Sequence, residues 1–78
     1  MTLAERLRAI RANEGLTQVE FCKLVGMSLN TYKKYETGVF EMGYGALSKL
    51  LAHPRFKPYA LWLMTDETAP SYGQVGPT

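Results

Sequence analysis

The joint at Gly26-Met27-Ser28 constrains this chain more than any other feature. Before it, Thr17 and Glu20 form a T-x-x-E pair, in which each side chain satisfies the other's backbone N–H at a helix start. Leu16 precedes Thr17, and Phe21 follows it by four residues, as in a hydrophobic staple. This predicts a helix from Gln18 to about Val25, stopped by Gly26. After the joint, Ser28 is placed to cap a helix running to Tyr35 or Glu36, ended by Gly38. A connection this short cannot lay two helices antiparallel, so they must cross at a steep angle.

The remaining pattern is also helical. Leu3, Leu7 and Ile10 recur at i, i+4 and i+7. Thr2 with Glu5 repeats the capping box, so a first helix spans about Leu3 to Asn13 and closes at Gly15. Val39 to Gly45, holding Gly43 and Gly45, reads as a loop. Leu47, Leu50 and Leu51 mark a fourth helix that ends ahead of Pro54, because the residue before a proline avoids helical dihedrals. Pro58 suits the first position of a fifth helix with Tyr59, Trp62 and Leu63 as its apolar stripe. The expectation is an all-α fold, a compact five-helix bundle whose second and third helices form a helix-turn-helix. Residues 1–66 make one domain. Pro70, Gly73, Gly76 and Pro77 then fall among few large apolar groups, so 67–78 reads as a flexible C-terminal tail or linker.

Size and composition set limits. With 78 residues, folding hides roughly 60–65% of the unfolded surface, and the core is small. The one cysteine excludes an intrachain disulfide, which leaves helix packing to hold the fold. No run of 18 apolar residues is present. The charged opening (Glu5, Arg6, Arg8) predicts no signal peptide, and a reducing cytoplasm follows as the default. The net charge is +2; residues 1–38 carry six Lys/Arg against four Asp/Glu, so the excess lies in the N-terminal half.

Few residues offer chemistry. Cys22 and His53, alone and far apart, cannot supply the four ligands of a zinc site. Cys22 reads as a small core residue and His53 as a helix-end residue. Asp66 and Glu67 have no pocket around them for acid–base work. Gly43-Tyr44-Gly45 lacks the Gly-Lys-Ser/Thr of a phosphate loop. Met27, Met42 and Met64 read as core filler or interface residues. Tyr59 and Trp62 either close the core or line a dimer surface. The expectation is a protein that is not an enzyme and uses no cofactor or metal.

The third helix is more telling. At 100° per residue, Tyr32 and Tyr35 share an inward side. Asn30 and Lys34 lie opposite, flanked by Leu29 and Lys33. An amide binds adenine bidentately in the major groove, and a lysine reaches guanine acceptors. Leu29 is placed to touch a thymine methyl, with Thr31 as a supplementary contact. The plain alternative for this side is a solvated helix face.

The stretch from Leu16 to Gly38 resembles the helix-turn-helix of the Cro/repressor type, the lambda-repressor-like family that includes the xenobiotic-response-element regulators. The matching positions are Leu16, Thr17-Gln18, Cys22, Gly26, Met27-Ser28, Tyr32, and Glu36 with Gly38. Three features depart from the pattern: Cys22 stands where alanine is usual, Tyr32 where isoleucine or valine is usual, and loop 39–45 holds Phe40 and Met42 instead of proline and polar residues. The resemblance implies that Ser28, Leu29, Asn30, Thr31 and Lys34 contact bases. It implies that Thr17, Gln18, Lys33 and Thr37 contact phosphates, and that Arg11 pairs with Glu36 to position the third helix. It further implies a repressor that binds a palindromic double-stranded operator as a homodimer, with half-sites about 34 Å apart. The alternatives are a DNA-binding antitoxin with a protein partner and a protein-interaction module on the same fold.

Overall fold

The computed structural model describes all 78 residues. Helix α1 (Leu3–Asn13) and helix α2 (Gln18–Val25) each start at a complete capping box, Thr2 with Glu5 and Thr17 with Glu20. Gly26, in the left-handed region at φ +70°, stops α2. Helix α3 (Leu29–Glu36) follows. Ser28 occupies its N-cap position with extended backbone, but the Ser28 hydroxyl makes no capping hydrogen bond, contrary to the expected cap.

Helix α4 (Tyr44–Ala52) begins earlier than the sequence suggested and takes in Gly45. Its first-turn N–H groups have no intrahelical acceptor in any case, and Leu50 draws the segment into the core, so the glycine is tolerated there. Helix α5 (Ala60–Thr65) begins later than expected. Pro58 sits in a preceding 3-10 turn, Lys57–Tyr59, closed by Tyr59 N–H to Phe56 carbonyl at 2.9 Å.

The core gathers one to three side chains from each α-helix. Leu7 and Ile10 come from α1, Phe21, Cys22 and Val25 from α2, Tyr32 from α3, and Leu50 from α4. Met42, Phe56, Tyr59 and Leu63 complete it. Phe21 lies between Tyr32 and Phe56, with ring centroids 4.7 Å away on each side. Burying one such ring stabilises the fold by about 2–3 kcal/mol. Tyr59 is a core residue, and Trp62 is partly buried against the core cluster. Met42 is core, Met27 is half-buried and Met64 is exposed.

Composition set 67–78 apart as a tail; in the structure this segment makes definite contacts. A second 3-10 turn, Pro70–Tyr72, is bracketed by a bridge between Ala69 and Gln74. Val75 N–H donates to the Pro58 carbonyl at 2.9 Å, and the Gln74 side chain bonds Leu61 N–H and the Lys57 carbonyl. Gly76 lies against the Trp62 indole, and Thr78 donates to Asn13. No helix is long and apolar enough to cross a membrane.

Candidate nucleic-acid interface

The turn between α2 and α3 is secured from three sides. Gly26 and Met27 N–H both donate to the Cys22 carbonyl, at 2.8 and 3.0 Å. Lys49 Nζ reaches from α4 to the Gly26 carbonyl at 2.9 Å. Cys22, buried beneath the joint, is small enough for the close approach of the two helices. Burial, and then the nearby Glu36 charge, hold its thiol above the ordinary value, so it stays protonated and inert.

The far end of α3 is fixed by a buried charge. Glu36 is 2% exposed. Arg11 donates to both of its carboxylate oxygens, Nε to Oε2 at 2.7 Å and Nη2 to Oε1 at 3.1 Å. Gln18 Nε2 adds a bond to Oε1 at 3.1 Å. Arg11 Nη1 also donates to the Leu16 carbonyl, and the Arg8 guanidinium to the Glu36 carbonyl. One carboxylate thus ties α1, the start of α2 and the end of α3 together. Burial works against its charged form. The hydrogen bonds from Arg11 and Gln18, beside the Tyr32 hydroxyl, outweigh burial and keep the carboxyl below its ordinary value. Burial and the same carboxylate push the Tyr32 phenol upward. The Tyr32 hydroxyl itself forms no hydrogen bond of good geometry.

With its inner side committed, α3 presents an outer one. Ser28, Asn30, Thr31, Lys33, Lys34 and Thr37 are all exposed. Leu29 is half-buried against the core, so it sits at the margin of this side. The Ser28 hydroxyl is free. Thr17 Oγ1 only accepts, from Glu20 N–H at 3.1 Å, and keeps its proton for another partner. Thr37 differs: its hydroxyl donates to the Lys33 and Lys34 carbonyls, at 3.0 and 3.3 Å, so its proton is already engaged. Gln18 uses one amide hydrogen on Glu36 and has a second beside it.

A family model described as a helix-turn-helix domain matches residues 2–53. Repressor protein C of Escherichia phage P2 is 32% identical over 76 residues, covering 97% of this chain and 77% of that protein. The chain belongs to the helix-turn-helix family, as a DNA-binding protein of the Cro/repressor type.

Within this helix-turn-helix protein, three contacts around α3 besides the Gln18 bond to Glu36 escaped the reading of sequence alone. Lys49 pins the turn, Arg8 closes the C-terminal end of α3, and Lys34 Nζ lies 5.1 Å from the Phe40 ring centroid. The doublet Lys33-Lys34 carried no signal of which lysine has a ring beneath it. His53 takes the C-cap of α4 and packs near Phe56, 5.1 Å between ring centroids. No group of three or more His, Cys, Asp or Glu is placed to hold a metal ion.

Proposed function

We propose that the protein is a transcriptional repressor that lays α3 in the major groove of a short palindromic operator and binds it as a homodimer. The observation that carries this reading is the division of α3. Tyr32 and Glu36 are locked inward, while Asn30, Thr31, Lys33 and Lys34 are exposed on the opposite side. An amide and two ammonium groups on a rigid rod suit base edges and phosphates. The similarity to a phage repressor supports the regulatory role.

On this reading residues 1–66 are the DNA-binding domain and 67–78 a tail or linker. Ser28, Leu29, Asn30, Thr31 and Lys34 meet bases, Leu29 through its exposed margin. Lys33, Thr17 and the second amide hydrogen of Gln18 meet phosphates. Thr37 approaches the backbone with its oxygen lone pairs only, so it contributes through a bridging water. A single α3 reads a short half-site, and two-fold symmetry doubles it.

The test is a titration of duplexes selected from a random library by the full chain. Asn30→Ala and Lys34→Ala are each expected to reduce discrimination at one base pair by about 1–3 kcal/mol. Gln18→Ala is expected to weaken binding to all sequences alike. Binding should fall steeply with salt, as counterions are displaced from phosphates. Normal binding by all three variants refutes the reading.

A further inference from the structure

We propose that Phe40 is a positioning residue for base readout, holding the Lys34 ammonium on the groove-facing side of α3. This rests on α3 being the recognition helix. Lys34 Nζ stands over the Phe40 ring, 5.1 Å from its centroid, within the range where the negative face of an aromatic ring attracts a cation. The backbone fixes the arrangement. Gly38, at φ +79°, reverses the chain after α3, and Phe40 N–H donates to the carbonyl of Lys34 itself at 3.2 Å. The loop therefore folds back onto the residue whose side chain it supports.

Phe40 is not a core residue. It is 52% exposed, and Met42, two positions on, is the loop residue that enters the core. Lys33 has no ring beneath it; the one other ring–cation pair is Arg6 over Trp62, made by α1 and α5. A free lysine side chain loses rotamer freedom when it is held at a base edge. A ring that already restricts it lowers that cost and sharpens the choice of base.

Phe40→Leu keeps apolar bulk and removes the ring. It is expected to weaken binding to the library-selected duplex by about two- to fivefold. The loss should concentrate at the base pair where Lys34→Ala loses discrimination. Phe40→Tyr should retain parental binding. In a Lys34→Ala background, Phe40→Leu should cost nothing further. NMR of the free full chain supplies an independent readout: the Lys34 side-chain protons should be shifted upfield by the ring and lose that shift in Phe40→Leu. Equal or tighter binding by Phe40→Leu overturns the proposal, as does a loss spread evenly over all sequences, or an undiminished loss in the Lys34→Ala background. If Lys34→Ala itself leaves base preference unchanged, the role of Lys34 as a reader falls, and that of Phe40 with it. If only Phe40→Leu is silent, the reading of α3 stands and the inference alone fails.

Discussion

Arg11→Met keeps an unbranched stem beside α3 and removes the charge that faces Glu36. The carboxylate, 2% exposed, then loses bonds of 2.7 and 3.1 Å and keeps only the one from Gln18. It has two ways to respond. It can stay charged, at a cost of about 3–5 kcal/mol for a buried charge without its partner. Alternatively it can take up a proton, which sets a ceiling on the loss. From an ordinary value of 4.5, protonation at pH 7 costs about 3.4 kcal/mol, at roughly 1.36 kcal/mol per pH unit. The expected loss of stability at pH 7 is therefore about 3 kcal/mol. Its pH dependence has a definite sign. In the parent the folded carboxyl lies below 4.5, so its contribution is present above pH 4.5 and is lost as pH falls through the folded value. In the variant the folded value lies above 4.5, so the penalty is largest at neutral pH and shrinks as pH falls toward 4.5. The gap between the two proteins should narrow by about 2–3 kcal/mol between pH 7 and pH 5. Urea unfolding followed by helical circular dichroism at both pH values measures it. The double variant Arg11→Met with Glu36→Gln should recover much of the loss, because no buried charge remains. A loss under about 1 kcal/mol, or an equal loss at both pH values, refutes the account of Glu36 as a buried anion held by Arg11.

Two further changes probe the joint itself. Gly26→Ala should destabilise the fold by about 1–2 kcal/mol from its left-handed dihedral alone. A Cβ there would meet Lys49 Cε at an ordinary 3.5 Å, so crowding adds little. A melting temperature equal to the parent's contradicts this. Cys22→Leu should overpack the junction of α2 and α3 and cost about 1–3 kcal/mol, read by the same unfolding measurement. A variant as stable as the parent contradicts the tight approach at Cys22.

The parts of this fold that were legible in the sequence are those fixed by neighbours along the chain. Capping boxes at Thr2 and Thr17 and the glycine at 26 act within four residues of themselves, and the bounds of α1 and α2 follow from them. Where local and tertiary preferences conflict, tertiary packing decided. Gly43 and Gly45 signal a loop, yet the burial of Leu50 carries α4 back to Tyr44. Pro58 signals a helix start, but a 3-10 turn places Tyr59 in the core before α5 begins. The contacts that tie the segment after Thr65 to the rest of the fold join residues 13 to 65 positions apart, such as Gln74 with Leu61 and Thr78 with Asn13. Nothing in the Pro/Gly-rich composition of that segment encodes them. At the site, helical spacing alone placed Asn30 and Lys34 opposite Tyr32. Of the bonds that orient α3, the Arg11–Glu36 pair was implied by the family resemblance, and the others were not written in any spacing. Gln18 and Arg8 reach Glu36 only after three helices have packed, and Phe40 reaches Lys34 only after Gly38 turns the chain.

Entry of the outer side of α3 into a duplex can be observed by titrating the isotope-labelled full chain with a library-selected duplex and recording intermolecular NMR contacts. Contacts are expected from the side chains of Asn30, Thr31 and Lys34 to base protons in the major groove, with Tyr32 and Cys22 silent. Contacts confined to α5 or to the segment after Thr65, with the α3 side chains unchanged, would contradict it.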